Sequence, residues 1–437
     1  MTLTSKQTRW AHPTHLTTQG WKRPSPWIAP PSTEVTESWS VGHGDDPDLE
    51  RRQVADGADP RDRRDRAAHP ACKPGALTRM YVERGVSPWI DQLSRADLGN
   101  GSLSRMITAG VRGIAAGQTE LTQAFEASED YDEQLSWLMA TGCTAEEVYW
   151  ELVATDALAA CALLRPVYEI SQGADGFVSL QGAPPHSHST RATMATICQH
   201  HRRINRPNLL VAIPASDSGV QALRATVSAG CNIVATSIFS PARYAAVVEA
   251  YQAGLETFVA RGGDPTTVHS FASFSLSPVD AEVDRRIELL AGRGALEMRG
   301  LAATAQAILA CRLFQERFST ERWARLAKQG ARPQRLVWAA GTPLEKNGSK
   351  RYVNDLSVPN TVHVLSASTL ANLNLTCLEA PSPAIDVRGA AEVVSDLAAL
   401  RIDLDDVAAM LERQGSAVAQ DSLSDALDRL STGSGQR

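Results

Sequence analysis

Lysine is nearly absent from the centre of this chain of 437 residues, since none occurs between Lys73 and Lys328. A lysine amine is the side chain that forms Schiff bases with carbonyl substrates. The lysines that follow this span are Lys328, Lys346 and Lys350, nearer the carboxyl terminus. The last two fall in segment 341–350, whose glycine, serine and asparagine predict exposed lysines and not a desolvated, reactive amine.

Long apolar runs and basic clusters are also lacking. No uninterrupted apolar run reaches membrane-spanning length, and residues 1–10 lack the apolar core of a signal peptide. We therefore expect a cytoplasmic protein with no membrane partner. The net charge of -6, without a basic run in the folded part, argues against a nucleic-acid partner.

Cysteines are few and lack the spacing of a metal site. The chain has seven, and no two of them form a Cys-x-x-Cys pair. An odd number of scattered cysteines suits reduced thiols better than a disulfide framework or a zinc site. We expect neither a metal nor a cofactor.

Short apolar runs alternate with helical stretches from residue 86 onward. Five runs predict buried parallel strands because both of their faces are apolar, at 178–180, 209–213, 231–236, 270–274 and 336–340. Amphipathic stretches lie between them, such as 241–261, with Pro241 in its first turn and Gly262 after its end. This alternation predicts a (β/α)8 barrel, and 390–430 predicts helices packed after the barrel closes.

Residues 1–78 differ from the rest of the chain. They carry prolines and opposed charges with little periodic apolar pattern, which is typical of disorder. We therefore divide the chain into a disordered N-terminal arm, 1–78, and a barrel domain, 79–437. Met80 precedes the first strand and is an alternative start, so a chain beginning there is expected to melt at the same temperature as the full chain.

Several barrel segments occur in the order and spacing of a known family. They are 89–95 (WIDQLSR), 178–181 (VSLQ), 208–216 (NLLVAIPAS), 236–244 (TSIFSPARY), 272–274 (ASF), 279–284 (VDAEVD) and 358–361 (VPNT). Over residues 80 to 430 the chain resembles the transaldolases, most closely the long actinobacterial type. The resemblance implies a (β/α)8 barrel with extra C-terminal helices, and a site at the carboxyl ends of the strands.

The resemblance also implies a set of catalytic groups, most of which this chain replaces. The family's Schiff-base lysine falls on Ala212, its acid/base glutamate on Gln181, its substrate-binding asparagine on Gly117 and its phosphate-binding arginine on Pro278. An alanine is no nucleophile, and an amide does not exchange a proton near neutral pH. Asp91 matches the family's acid on the first strand. The chain is therefore predicted to form no Schiff base of the family's kind.

Most other residues at the predicted mouth are small. The residues expected to line the pocket are Ala115, Ala116, Gly117, Gln181, Ala212, Val234, Thr236, Ser273, Ser275, Arg335 and Ala340. The small apolar ones would widen and dry the pocket. Such a site suits a small-molecule ligand that is bulkier and less polar than a sugar phosphate, bound at the C-terminal face.

Three polar residues are candidates for proton transfer. Asp91 is either a general acid/base or a strand-end carboxylate held by backbone groups. His186 and His188 follow the third strand in a proline-containing loop, where they either transfer protons or are merely exposed. The sequence leaves both pairs of alternatives open.

Three functions remain open on the sequence. The first is a repurposed barrel enzyme with a lysine-independent lyase, isomerase or cyclase step in specialised metabolism. The second is a pseudoenzyme that binds a metabolite or partner without turnover. The third is a residual transaldolase of the pentose phosphate pathway.

Overall fold

Eight parallel strands close into a barrel in sequence order, with the last paired to the first. The computed structural model describes residues 75–181, 190–290, 296–340, 348–366, 369–370, 373 and 386–432. The strands are β1 (Ser87–Ile90), β2 (Gly113–Ala116), β3 (Phe177–Gln181), β4 (Leu209–Pro214), β5 (Ile233–Ile238), β6 (Ser270–Ser275), β7 (Arg335–Ala339) and β8 (Val362–Leu365). The predicted (β/α)8 barrel is confirmed.

Helices surround the barrel and connect its strands. Before β4 they are α1 (Ala76–Arg84), α2 (Arg95–Gly99), α3 (Ser102–Thr108), α4 (Gln118–Ala127), α5 (Asp132–Ala140), α6 (Ala145–Ile170) and α7 (Thr190–Ile204). After β4 they are α8 (Asp217–Val227), α9 (Pro241–Ala260), α10 (Leu276–Leu290), α11 (Ala302–Phe318), α12 (Glu321–Ala327), α13 (Gly348–Asp355), α14 (Val387–Ala399) and α15 (Leu404–Thr432). The helices predicted within 390–430 are therefore present.

Side-chain oxygens fix where several of these helices begin. Ser240 accepts a hydrogen bond from the Arg243 N–H at the start of α9, and Ser216 accepts one from Gly219 at the start of α8. Thr144 and Glu147 form a reciprocal capping box on α6. These caps satisfy N–H groups that have no partner inside their own helix.

Alternation along the strands separates two layers of core. Phe177 and Leu210 face the barrel interior, whereas their neighbours Val178 and Val211 pack outward against the helices. Successive strand residues point to opposite faces, so strands covered on both sides need apolar residues at nearly every position. This requirement explains the continuous apolar runs in the sequence.

A polar cluster closes the amino-terminal end of the barrel. The Arg335 guanidinium contacts the Asp175 carboxylate at 3.1 Å and donates to the Ser87 hydroxyl at 2.9 Å. Arg112 contacts the same carboxylate at 2.8 Å. Since Arg335 and Ser87 are the first residues of β7 and β1, the cluster lies opposite the end where barrel enzymes carry their sites.

Helix α15 runs along the carboxyl-terminal end. Glu412 forms a two-pronged ion pair with Arg243 in the first turn of α9, with both distances 2.9 Å. Ten residues later, the Ser422 hydroxyl lies 3.3 Å from that of Thr119 in the first turn of α4. Both helix starts follow strand ends, so this part of α15 passes over the mouth. In the described parts of the chain, no helix is long and apolar enough to cross a membrane.

Helix α1 corrects the proposed division of the chain near residue 78. It begins at Ala76, so the predicted boundary falls inside it. Met80 is fully buried, in a cluster with Val86, Val353 and Leu365. An alternative start at Met80 would therefore remove the first turn of a packed helix. Residues 1–74 lie outside the described part of the chain.

Candidate active site

The mouth of the barrel is formed by inward-facing side chains near the strand ends. Asp91, Ala115, Gln181, Thr236 and Ser275 are each partly exposed there. One step deeper, Ala212, Val234 and Ser273 are buried, with at most 8% exposure. The structure therefore brings eight of the predicted site residues to one end of the barrel.

Ala212 lies in the middle of this wall. Strand pairing places it beside Gln181 of β3 on one side and beside Val234 of β5 on the other. The side chains of Ala212, Gln181 and Val234 end in a methyl group, an amide and an isopropyl group, none of which ionises near neutral pH. This part of the wall is neutral and mostly apolar.

Three predicted pocket residues lie elsewhere. Ala116 and Ala340 belong to the outer core, between strands and helices, because they are one residue out of phase with the inward positions. Arg335 lies in the cluster at the amino-terminal end and is held by Asp175 and Ser87. These assignments to the pocket were wrong. His186 and His188 lie outside the described residues.

Asp91 is a titratable group at the mouth. It directly follows β1, and its N–H donates to the Leu365 carbonyl at 3.3 Å. Partial burial, reinforced by the negative charge of Glu120, raises the pKa of Asp91 to about 6. A carboxyl group with that pKa exists in both protonation states near neutral pH, which suits proton transfer.

Glu120 is a residue that the sequence analysis missed. It lies in the first turn of α4, where its carboxylate folds back over Gly117. A Cβ on Gly117 would fall 2.1 Å from Glu120 Oε2, so the glycine leaves the space that this conformation uses. The available signal was an acidic residue three positions after Gly117, in the first turn of what the structure shows to be a helix.

The end of β5 has irregular backbone at the mouth. The register between β5 and β6 shifts between Ala235 and Ile238, and Ser237 has a φ of 56°. Thr236 lies within this bulge, and its buried Oγ1 has no hydrogen-bond partner in the described part of the chain. Bulges and left-handed residues cluster at functional sites. The Thr236 hydroxyl is thus a buried polar group at the wall of the mouth that lacks a described hydrogen-bond partner.

Aromatic rings fill the barrel below the mouth. The ring centroids of Trp89 and Phe271 are 5.1 Å apart, and those of Phe177 and Phe271 are 5.2 Å apart. A Cβ on Gly113 would fall 2.4 Å from the Trp89 ring, so only glycine allows the indole to lie there. The floor of the site is therefore a packed apolar core.

The described residues provide no lysine amine at the mouth. Lys328 is exposed after α12 and before β7, which places it towards the amino-terminal end of the barrel. Lys346 lies outside the described residues, and the side chain of Lys350 is not among those described. Nor do the described residues contain a group of three or more His, Cys, Asp or Glu side chains that could hold a metal ion.

Comparisons with known proteins agree with the barrel and its extent. The family model described as Transaldolase/Fructose-6-phosphate aldolase matches residues 88–430. A transaldolase of Saccharopolyspora erythraea is 39% identical over 344 residues, which cover 76% of this chain and 91% of that protein. A transaldolase of Arthrobacter sp. (strain FB24) is 36% identical over 341 residues, covering 77% and 92%. Transaldolase 2 of Streptomyces coelicolor is 36% identical over 355 residues, covering 80% and 95%.

Proposed function

The chain belongs to the transaldolase/fructose-6-phosphate aldolase family, and from that premise we propose that it is an enzyme that works without the family's Schiff base. Its reaction is a lyase, isomerase or cyclase step in specialised metabolism, in which a proton is removed beside a carbonyl group. Asp91 is the general base. The substrate is a small molecule bound at the carboxyl-terminal face of the barrel.

The side chain at the family's lysine position supports the absence of a Schiff base. Ala212 is buried and faces the interior between Gln181 and Val234. No lysine among the described side chains lies at this end of the barrel. A carbonyl substrate bound against Ala212 would therefore remain a carbonyl.

The raised pKa of Asp91 at the carboxyl end of β1 is the observation that supports an enzyme most strongly. Burial raises its pKa to about 6, with a further contribution from Glu120. Catalytic bases have pKa values near the working pH, and strongly perturbed groups cluster at functional sites. Its position after β1 is also the position at which barrel enzymes carry catalytic residues.

The composition of the wall supports a ligand less polar than a sugar phosphate. Ala115, Ala212 and Val234 provide apolar contacts, while Thr236 and Ser275 provide hydroxyl groups. Arg335, which the sequence predicted in the pocket, lies at the opposite end of the barrel and is paired with Asp175, so it does not bind a ligand at the mouth. A pocket of this kind favours an alkyl- or aryl-bearing ligand with a few polar atoms.

Two alternatives each have a supporting observation. Gln181 stands where the family has its acid/base glutamate, and an amide there favours a pseudoenzyme that binds a metabolite or partner without turnover. The names of the relatives, at 36% to 39% identity, favour a residual transaldolase. Both alternatives predict outcomes different from the proposed function.

Deuterium exchange distinguishes the three functions. The full chain is incubated in D2O with alkyl- and aryl-substituted α-hydroxyketones, and proton NMR follows the loss of the C–H signal beside the carbonyl. Exchange in the wild type that disappears in Asp91→Asn supports the proposal. Thermal stabilisation by these compounds without exchange would overturn it in favour of the pseudoenzyme. Conversion of fructose 6-phosphate with an aldose phosphate acceptor would overturn it in favour of a transaldolase.

A further inference from the structure

Two cysteines from distant parts of the sequence lie side by side on the flank of the barrel. Sγ of Cys198 on α7 lies 3.7 Å from Sγ of Cys231, which precedes β5. Both residues are nearly buried, with 9% and 8% exposure. A disulfide bond is about 2.05 Å long, so a small side-chain movement brings the sulfurs within bonding distance.

Hydrogen bonds next to the pair hold α7 against the start of β5. The Asn232 N–H donates to His201 Nε2 at 3.1 Å, one turn along α7 from Cys198. The Asn232 side chain donates to the Pro207 carbonyl at 2.8 Å and accepts from the His269 N–H at 2.8 Å. The contact between His201 and Asn232 joins α7 to the start of β5 without involving either sulfur, and the other two fix Asn232, the residue after Cys231.

The surroundings of the two thiols are unequal. A hydrogen bond from Cys231 lowers the pKa of Cys198, and the positive charge of Arg202 lowers it further. The same hydrogen bond, together with burial, raises the pKa of Cys231. By contrast, burial raises the pKa of both Cys161 and Cys311 to about 12. Because the thiolate is the reacting form, Cys198 is set apart from these buried cysteines.

We propose that Cys198 and Cys231 are an oxidisable pair that closes to a disulfide with hydrogen peroxide as the oxidant. The Cys198 thiolate attacks one peroxide oxygen, which breaks the O–O bond, gives a sulfenic acid and releases hydroxide. The Cys231 sulfur then attacks the Cys198 sulfur, and the S–O bond breaks as water leaves. Overall, two thiols are oxidised and one peroxide is reduced to two waters.

The disulfide would join α7 to β5 on the outside of the barrel. It would close a loop between residues 33 positions apart, which restricts the unfolded chain more than the folded one. For a domain of this size we expect oxidation to raise the melting temperature by about 5 °C. Reduction with dithiothreitol should reverse the increase.

Peptide mapping of the full chain tests the proposal. After treatment with peroxide at neutral pH, non-reducing mass spectrometry should find the Cys198 and Cys231 peptides joined, with the loss of two hydrogen atoms. In Cys231→Ser the sulfenic acid at Cys198 should persist and be trapped by dimedone. Cys311→Ser, which alters a buried cysteine elsewhere, should form the same disulfide as the wild type.

Three results would overturn the proposal. One is a wild type in which Cys198 and Cys231 remain thiols while Cys143, a partly exposed free cysteine, is oxidised. Another is a disulfide from Cys198 to a different cysteine. The third is equal over-oxidation of Cys198 in the wild type and in Cys231→Ser, which would show that Cys231 does not resolve the sulfenic acid. Wild-type mapping decides the matter even if a variant folds poorly.

Discussion

Ala212 of β4 pairs directly with Gln181 of β3, and the two side chains are neighbours on the inner wall of the barrel. The transaldolase resemblance predicts that these positions correspond to the family's Schiff-base lysine and to the glutamate that transfers its protons. If the correspondence holds, the two replacements are neighbours on the wall, and a methyl group and an amide stand where the family has a pair of ionisable groups.

We expect no borohydride-trappable adduct with dihydroxyacetone or fructose 6-phosphate. No described lysine side chain lies at the carboxyl end of the barrel, and Ala212 cannot form an imine. Intact-protein mass spectrometry after reduction is the measurement, with the Saccharopolyspora erythraea relative as the positive control. An adduct mapped to Lys346 or Lys350 would contradict this prediction and would place an amine at the mouth.

Restoring the amine alone should not restore transaldolase turnover. Ala212→Lys would place an amine at a nearly buried position beside Gln181, which cannot serve as its acid/base partner. The transaldolase resemblance also predicts that Gly117 and the exposed Pro278 stand where the family has an asparagine and an arginine. Catalytic groups that act as a unit do not contribute additively.

The measurement is a coupled assay against the Arthrobacter relative. We expect Ala212→Lys, and the double variant with Gln181→Glu, to remain at least about tenfold slower, a deficit of about 1.4 kcal/mol in the barrier. The double variant tests whether the missing acid/base group alone limits turnover, because its substrate contacts are the same as in the single variant. Turnover of the single variant within that factor would contradict the prediction.

The barrel could be predicted from the sequence because its strands are apolar on both faces. Among the five predicted strands, β5 departs most from its predicted bounds, since it was predicted at 231–236 and forms at Ile233–Ile238. The reason is Asn232, whose side chain bonds to Pro207 and His269 and so ends the preceding turn. Such contacts join distant segments and leave no periodic signal.

The site was only partly predictable for a similar reason. The transaldolase resemblance predicted Asp91, Gln181 and Ala212 at the mouth, where the structure has them. It also predicted Arg335 there, whereas this residue lies at the opposite end of the barrel. Its position as the first residue of β7 places it at the amino-terminal end. The pair of Cys198 and Cys231 depends on the packing of α7 against β5, which spacing along the chain does not reveal.

The first turn of α1 should contribute measurably to stability. A chain that starts at Met80 keeps five residues of this helix and puts a charged amino group on a fully buried methionine. Compared with a chain that starts at Gly75, we expect a loss of about 2 kcal/mol, seen as a melting temperature lower by about 4 °C. Equal melting temperatures would show that Ala76 to Arg79 add nothing to the packing.

Arg335→Ala should destabilise the fold and leave ligand binding intact. The side chain is mostly buried, and its loss removes one of two arginines that neutralise Asp175. Breaking such a pair costs about 3 kcal/mol. Urea unfolding measures this loss, and Arg388→Ala, at an exposed ion pair, is the control with a change near zero. Weakened binding of a mouth ligand at unchanged stability would contradict the location of Arg335.

Asp91→Asn should stabilise the protein above pH 6 while abolishing proton transfer. The pKa of Asp91 is raised from 3.8 to about 6, so the folded chain holds this proton more tightly than the unfolded chain. The resulting stabilisation is complete below about pH 4 and is lost as the pH rises through 6. Above that pH the Asp91 carboxylate lowers the free energy of unfolding by about 1 to 2 kcal/mol, after allowance for its partial exposure.

Urea unfolding at pH 4.5 and pH 7.5 tests the stability effect, which should be small at the lower pH and reach its full size at the higher one. Deuterium exchange into a hydroxyketone should fall at least about 100-fold in Asp91→Asn, and in the wild type it should rise with pH around a midpoint near 6. Glu120→Gln is the matched variant, because removing its charge lowers the pKa of Asp91 and moves that midpoint to lower pH. A midpoint unchanged by Glu120→Gln, or an Asp91→Asn variant that is less stable at pH 7.5, would mean that Asp91 is a strand-end carboxylate held by its surroundings and not the base of the reaction.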